Sequence, residues 1–187
     1  MRKTHYGSEV RSWIDEEGIR SVNKTIHQFT DIKTMVCHGC RSGVEVSLFM
    51  KFNPEAEVIG TDVYKGGFRL DKKHFRHIDF DLVPEEWIGY FDAVYSNSID
   101  HSRDPILTLN SWRLELKPTG ICYVTFYWGR GVSRSDCFQL NRERPTQELV
   151  EIANQVGLKI LHTSDGYTDG YHNHCVDVVM GREGRIL

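Results

Sequence analysis

The alternation of short apolar runs with segments of helical spacing is the feature that most constrains how this chain folds. Five runs are predicted as strands, at residues 35–37, 57–62, 75–80, 91–96 and 121–127, and two more follow at 158–162 and 175–180. Strands that alternate with helices form a parallel sheet with helices on both faces. No helical pattern separates the last two runs, which predicts that the last strand is antiparallel to its neighbours. We therefore expect a doubly wound α/β sheet of about seven strands.

Four segments carry apolar residues at the spacing of a helix. They are Val22, Ile26 and Phe29; Val44 and Leu48; Ile106, Leu109 and Leu116; and Leu149, Ile152, Ala153 and Val156. Asp104 before Pro105 favours a helix start, because the carboxylate caps backbone N–H groups and proline has none to satisfy. Residues 117–120 are predicted to form the turn that ends this helix. We expect one domain, with residues 1–33 as a helical flank and residues 34–187 as the core.

Composition excludes several classes of protein. The chain has 187 residues, a formal charge of −3 and 40% hydrophobic residues, which predicts one soluble domain with its own core. A near-neutral charge disfavours dedicated nucleic-acid binding. No apolar run approaches the roughly 20 residues that span a bilayer, and we expect no membrane association. Five cysteines in a domain of this size predict reduced thiols and a cytoplasmic location.

A strand, a glycine turn and a helix occupy residues 36–48, and the next strand ends at Asp62. A glycine turn lets a ligand approach the backbone closely, and an acid at the end of the following strand can bind the two hydroxyls of a ribose. The pattern indicates a ligand that contains a nucleoside. The alternative is that Gly39 and Gly43 only make a tight turn and that Asp62 is a solvated strand end.

From about residue 34 to residue 180, the chain resembles the class I S-adenosylmethionine-dependent methyltransferases, which have a Rossmann-like fold. Five segments carry the resemblance in the expected order: the glycine turn at 39–43, the strand ending at Asp62, residues 78–82, residues 91–101 and residues 114–121. No single segment decides the assignment, but their order and setting together favour this family. The resemblance implies S-adenosylmethionine as cofactor.

The resemblance also implies which residues hold this cofactor. The glycine turn would lie along the methionine moiety, Asp62 would bind the ribose, and residues that follow the third and fourth strands would contact the adenine and border the transferred methyl group. The cofactor-binding residues expected in this way are Gly39, Cys40, Arg41, Gly43, Asp62, Asp79, Phe80, Ser96 and Asn97.

Two positions depart from the family pattern. Cys37 stands near the end of the first strand, where many members have an acid, and Arg41 replaces the middle glycine of the turn. A guanidinium binds a carboxylate bidentately, so Arg41 could pair with the carboxylate of the cofactor. It could equally crowd the pocket. This second outcome motivates an alternative function, a module that binds S-adenosylmethionine or S-adenosylhomocysteine without catalysis.

Catalysis by a methyltransferase requires alignment of the acceptor, and a general base only when the acceptor atom carries a proton. His101 is the candidate base, and Asp100 could orient its ring. The alternative is that the pair only satisfies backbone groups before the helix at 104. Residues 128–144 contain four arginines beside aromatic residues, which would suit a small-molecule or carbohydrate-like acceptor that is anionic or contains a ring. The alternative is a solvated loop whose charges keep it soluble.

Two further alternatives compete with the methyltransferase prediction. Cys37 and Cys40 have the C-x-x-C spacing of zinc and redox sites, and residues 172–175 add two histidines and a cysteine. The glycine turn already accounts for this spacing, so we expect no metal. A nicotinamide-dependent oxidoreductase would share the turn and the strand-end acid, but the chain lacks G-x-G-x-x-G.

Overall fold

The fold is built on an eight-stranded sheet. The computed structural model describes residues 14–64, 70–128, 137–138, 140, 143–164, 167–168 and 174–184. In chain order, the strands are β1 (Thr34–His38), β2 (Glu57–Thr61), β3 (Phe75–Arg76), β4 (Phe91–Ser96), β5 (Leu116–Trp128), β6 (Leu158–Thr163), β7 (Tyr167–Thr168) and β8 (His174–Arg182). Seven of them lie in the order β3-β2-β1-β4-β5-β8-β6, and β7 pairs with β8 outside that order.

Strand directions agree with the predicted doubly wound topology. β1 is parallel to β2 and to β4, and the same direction continues from β2 to β3 and from β4 to β5. β8 is antiparallel to both of its neighbours, β5 and β6, which confirms the prediction for the last strand. β3 is shorter than predicted, because only Phe75 and Arg76 pair with β2 and the chain then turns away.

Helices cover both faces of the sheet. α1 (Glu16–Ile26) and α2 (Val44–Phe52) pack on one face, and α3 (Pro105–Glu115) and α4 (Pro145–Gln155) pack on the other. Asp104 caps α3 as predicted, since its carboxylate accepts the backbone N–H groups of Ile106 and Leu107. No helix within the described ranges combines the length and the apolar character needed to cross a membrane.

The buried face of α2 differs from the prediction. Val44 and Leu48 were expected to mark it, but both are only half-buried. The buried residues are instead Glu45, Val46 and Phe49. Because Glu45 and Phe49 are four residues apart, they share a face, and the packing of Phe49 into the core carries the Glu45 carboxyl inward with it.

Residues 117–120 end α3 as predicted, but they do not form a separate turn before the fifth strand. β5 already begins at Leu116, which pairs with Phe91, and the next pair of the ladder joins Ala93 to Ile121. The residues between these pairs bulge from the ladder. The bulge places the Lys117 ammonium 2.8 Å from a carboxylate oxygen of Asp92, so an ion pair accounts for its position.

Candidate functional site

The carboxyl ends of three adjacent parallel strands meet at one edge of the sheet. β1 lies between β2 and β4, and the residues that follow them are the glycine turn at 39–43, Asp62 and Asn97. In open α/β sheets this edge is where ligands bind. The structure therefore brings together the first three groups that the sequence predicts as a binding site.

The glycine turn is shaped by left-handed backbone conformations. Gly39 and Gly43 have φ of 70° and 79°, and Arg41 between them has φ of 44°. Two backbone hydrogen bonds close the turn: Cys40 N–H donates to Thr61 O at 3.0 Å, and Gly43 N–H donates to Cys40 O at 2.8 Å. The first of these bonds fixes the turn against the end of β2.

Both glycines are also required by packing within the protein. A Cβ atom at Gly39 would lie 2.6 Å from the Cβ of Ser98, and one at Gly43 would lie 2.5 Å from Cγ of Leu70. The glycines would therefore be needed whether or not a ligand binds. They permit a close approach between the turn and its neighbours, and they do not by themselves identify a ligand.

Asp62 is bound to the glycine turn through its side chain. One carboxylate oxygen accepts the backbone N–H of Arg41 at 2.7 Å, and the other accepts the N–H of Tyr64 at 2.7 Å. The two bonds hold the carboxylate in one orientation while each oxygen keeps a second lone pair. Asp62 is thus a positioned acceptor with capacity for two further hydroxyl donors.

Of the two predicted residues at the end of β4, one faces the site and the other is used by the fold. Asn97 is half-buried, and its amide nitrogen donates to an oxygen of Glu45 at 3.0 Å. Ser96 is buried, and its hydroxyl donates to His38 O at 3.1 Å. Ser96 also accepts the N–H of Ser98, so its side chain ties the loop after β4 to the end of β1.

Cys40 and Arg41 are neighbours in the turn but differ in burial. Cys40 is buried, and its sulfur lies so close to Gly60 in β2 that a Cβ atom there would be 2.6 Å from it. Arg41 is exposed. A contact of Cys40 with a ligand would therefore be made by its main chain.

The segment after β3 contains Asp79 and Phe80, the two residues predicted to contact the adenine. Asp79 is exposed and accepts the N–H of Asp81, while Phe80 is half-buried with its ring packed edge-on against Trp112. The indole N–H of Trp112 donates to Phe80 O at 3.0 Å, which fixes this segment to α3. The backbone of the segment is thereby held in place.

Asp100 and His101 form a short 3-10 turn between β4 and α3 with Ile99. Asp100 is buried, and its carbonyl accepts the N–H groups of Cys137 and Phe138 at 2.7 Å and 3.0 Å. His101 is exposed. Residues 137–138, part of the arginine-rich segment predicted to bind the acceptor, thus lie against Asp100, the residue before the candidate base. Three of the four arginines of residues 128–144 lie outside the described residues. The fourth, Arg144, precedes α4.

Comparison with solved structures identifies the fold. The chain matches the 1,6-didemethyltoxoflavin-N1-methyltransferase of Burkholderia thailandensis, solved with bound 1,6-didemethyltoxoflavin and S-adenosylhomocysteine, at a TM-score of 0.68 and 14% identity over 91% of this chain and 80% of that one. A TehB-like S-adenosylmethionine-dependent methyltransferase of Corynebacterium glutamicum matches at a TM-score of 0.63 and 16% identity, over 86% of each chain. The chain has the class I methyltransferase fold.

The same fold also carries other reactions. The (4+2)-cyclase SpnF matches at a TM-score of 0.69 and 13% identity, over 95% of this chain and 85% of that one. No family model matches the chain, and no curated protein matches it in sequence. Within the class I methyltransferase fold, the reaction must therefore be argued from the residues of the site.

Sequence reasoning missed one residue of the site, Glu45. Its side chain is buried at the first turn of α2, and burial raises the pKa of its carboxyl to about 7, opposed by the hydrogen bond from Asn97 and assisted by the negative charge of Asp62. An acid two residues after a glycine turn reads as an ordinary first-turn residue of a helix. The four-residue spacing to Phe49 was the available signal that it faces inward.

The C-x-x-C alternative does not gain support from the described residues. Cys37 and Cys40 are both buried, and burial raises the pKa of both thiols, so that they remain protonated. Within the described ranges, no group of three or more histidine, cysteine or acidic residues is arranged to hold a metal ion. The side chains of residues 172 and 174, which would complete that alternative site, lie outside the described ones.

Proposed function

We propose that this protein is an S-adenosylmethionine-dependent methyltransferase that acts on a small-molecule or carbohydrate-like acceptor. The observation that carries the proposal is the convergence of the glycine turn, Asp62 and Asn97 at the carboxyl ends of β1, β2 and β4. The class I fold supplies the setting, and one structure that shares it holds S-adenosylhomocysteine. A fold match at 14% identity supports the proposal without establishing the cofactor.

The residues present fit this cofactor. Asp62 would bind the ribose hydroxyls, since its carboxylate is positioned and keeps free lone pairs. Asp79 would accept from the adenine amino group, and Phe80 would meet the ring through its backbone N–H. The main chain of 39–43 would lie along the methionine moiety, and the exposed Arg41 would pair with the carboxylate of that moiety.

The cofactor supplies a methyl group that is already activated, so the protein must mainly align the acceptor and exclude water. His101 is exposed and follows Asp100, whose carbonyl binds residues 137–138, and it is proposed as the base for an acceptor that carries a proton. Asp100 is proposed to orient it. The arginines of residues 128–144 would favour an anionic acceptor such as a phosphorylated sugar.

Calorimetric titration tests the proposal directly. Purified protein would be titrated with S-adenosylmethionine, S-adenosylhomocysteine and NAD, after confirming that no metal co-purifies. Micromolar binding of both adenosyl ligands, without binding of NAD, is the expected result. Failure of a folded sample to bind either adenosyl ligand would overturn the cofactor assignment and the enzyme with it.

A second candidate function is a module that binds the cofactor or its demethylated product without catalysis. The left-handed conformation of Arg41 in the middle of the turn favours it, because a long side chain occupies a position where the family has glycine. Transfer of labelled methyl groups to a panel of sugar phosphates and small metabolites separates the two functions. Transfer that His101→Ala abolishes while S-adenosylhomocysteine binding is unchanged supports the enzyme.

The proposed location is the cytoplasm. All five cysteines lie among the described residues and none is in a disulfide, and Cys37, Cys40, Cys122 and Cys175 are buried. Free thiols are the usual state of cysteine in a reducing compartment.

A further inference from the structure

Glu45 is a buried acid that no cation of the described chain neutralises. Only 6% of the residue is exposed, and among the described residues the single hydrogen bond to its carboxylate comes from the neutral amide of Asn97. A buried carboxylate is costly unless it is paired with a cation or protonated. Packing within the protein therefore does not account for a carboxyl at this buried position.

The surroundings of Glu45 place it at the centre of the candidate site. The groups that interact electrostatically with it come from three elements: Cys37 at the end of β1, Cys40 in the glycine turn, and Asp62 after β2. Asn97, after β4, contacts it from the other side. All of these groups are neutral or negative, so none of them compensates a negative charge on Glu45.

We infer that Glu45 binds the ammonium group of the cofactor's amino-acid moiety and thereby selects ligands that carry a free α-amino group. The inference rests on the proposed function. It assigns the two ends of one zwitterion to two residues four positions apart: the exposed Arg41 takes the carboxylate, and the buried Glu45 takes the ammonium. The chain has Cys37 at the strand end where the family often has an acid, and Glu45 supplies a negative charge beside that cysteine.

The same arrangement predicts that binding is coupled to a proton. With a pKa of about 7, Glu45 holds about half a proton at pH 7 in the free protein. An ammonium group beside it favours the charged carboxylate, so binding releases that proton and affinity rises from pH 6 to pH 8. The facing groups are the Asp62 carboxyl and the thiols of Cys37 and Cys40, and the pKa values of both thiols are raised by burial, so neither thiol takes part.

The experiment compares three ligands on two variants. The ligands are S-adenosylhomocysteine, its analogue in which hydrogen replaces the amino group, and 5′-methylthioadenosine, which lacks the amino-acid moiety. Wild-type protein should prefer S-adenosylhomocysteine over the deamino analogue by about tenfold or more, and Glu45→Gln should remove this preference. Glu55→Gln, an exposed glutamate just after α2, is the matched control and should keep it.

Titrations in buffers of different ionisation enthalpy measure the number of protons released on binding. A purely structural role of Glu45 would not change this number. S-adenosylhomocysteine should release about half a proton on binding wild-type protein at pH 7, and the deamino analogue should release none. Retained binding of 5′-methylthioadenosine shows that Glu45→Gln is folded. If Glu45→Gln does not fold, the test rests on wild-type protein alone: proton release with S-adenosylhomocysteine but not with the deamino analogue supports the role of Glu45.

The outcomes separate the inference from the proposed function. If wild-type protein binds all three ligands equally and without proton release, the role of Glu45 is wrong and the cofactor assignment stands. If Glu45→Gln loses affinity for 5′-methylthioadenosine to the same degree as for S-adenosylhomocysteine, the role proposed for Glu45 is also wrong. If wild-type protein binds none of the three, the proposed function falls and the inference falls with it.

Discussion

The imidazole of His38 and the carboxylate of Glu115 form a fully buried pair, with Nε2 and Oε2 2.8 Å apart. Nδ1 of the same ring lies 2.8 Å from the Thr61 hydroxyl, and the ring stacks on Trp112 with 5.2 Å between centroids. His38 is the last residue of β1, so this pair joins α3 to the strand end that begins the glycine turn. Side chains of α3 and β2, Glu115 and Thr61, thereby hold the residue that precedes the glycine turn.

Removing Glu115 should destabilise the protein strongly. We expect Glu115→Ala to lower the free energy of unfolding by about 3 kcal/mol, because His38 then loses a buried hydrogen-bond partner. The loss should lie at the lower end of the range for buried pairs, since Oε1 of Glu115 has no partner among the described residues. Urea denaturation measures it, with Glu86→Ala, at an exposed position, as the control. Equal stability of the two variants would contradict the prediction.

Gly39 and Gly89 offer a matched pair of substitutions. Their φ angles are 70° and 67°, but a Cβ at Gly89 would meet nothing within 4 Å, whereas one at Gly39 would lie 2.6 Å from the Cβ of Ser98. Gly89→Ala should cost about 1 kcal/mol for the left-handed backbone. Gly39→Ala should cost about 1–3 kcal/mol more because of the collision.

Denaturation curves of both alanine variants measure this difference. Adding Ser98→Gly to Gly39→Ala removes the colliding atoms and should recover most of the excess cost. If Gly39→Ala and Gly89→Ala lose the same stability, the close approach of Ser98 is not what requires glycine at position 39.

Asp92 should make stability dependent on acid pH. Burial raises the pKa of its carboxyl, but hydrogen bonds from Lys117, from Thr34 and from the backbone of Lys33 outweigh burial and hold the pKa below its usual value of 3.8. A lowered folded-state pKa gives stability that is complete above the unfolded value and is lost as the pH falls through the folded value. Asp92→Asn should therefore be less stable than wild type at pH 7, and the gap should narrow below about pH 4.

Thermal unfolding from pH 7 to pH 2.5 checks this prediction. Asp31→Asn, at an exposed position before β1, serves as control and should follow the wild-type curve. A gap for Asp92→Asn that stays constant across this range would show that the ion pair with Lys117 contributes nothing.

Glu45 should have the opposite effect on the ligand-free protein. Its folded-state pKa is raised from 4.5 to about 7, so the folded protein holds a proton that the unfolded chain releases, and stability falls as the pH rises between these values. A shift of this size corresponds to about 3 kcal/mol above pH 7. Glu45→Gln should therefore be more stable than wild type at pH 8, and this advantage should disappear near pH 4.5.

Denaturation at pH 8 and at pH 4.5, without ligand, measures the effect. Glu55→Gln should show no such gain. A variant that gains stability while losing affinity for S-adenosylhomocysteine is the pattern expected of a residue kept for binding. Loss of stability at both pH values would show that the carboxylate serves the fold instead.

Asp62→Ala should weaken binding of S-adenosylhomocysteine at least tenfold, which corresponds to about 1.4 kcal/mol or more. The substitution removes the acceptor for the ribose and also the acceptor for the N–H of Arg41. Asp31→Ala is the surface control, and calorimetry gives the two dissociation constants. An unchanged constant for Asp62→Ala would contradict the ribose assignment.

Local patterns in the sequence predicted the frame of the site well. Gly39 and Gly43, Asp62 and the Asp104–Pro105 helix start each depend on short-range chemistry, and the structure has the turn, the strand end and the cap where they were predicted. The antiparallel last strand followed from the absence of a helical pattern before it. These features are set by neighbours within a few residues.

Features that depend on distant contacts were not predictable. The hydroxyl of Ser96 donates to the carbonyl of His38, 58 residues earlier, and nothing near position 96 indicates that bond. The pairing of Lys117 with Asp92 likewise joins two strands and shifts the ladder of β5. Glu45 receives its hydrogen bond from Asn97, 52 residues later, and no local pattern indicates that partner. In each case the partner lies on another element.

The place of β8 in the sheet affects how the chain can fold during synthesis. In the order β3-β2-β1-β4-β5-β8-β6, β6 is the strand at one edge. Among the described strands it pairs with β8, and β8 separates it from β5. Until residues 174–182 leave the ribosome, β6 has nothing to pair with and β5 presents an open edge over many residues. The sheet can therefore close only after β8 has been made, and until then the exposed edge of β5 is the surface that a chaperone would have to protect.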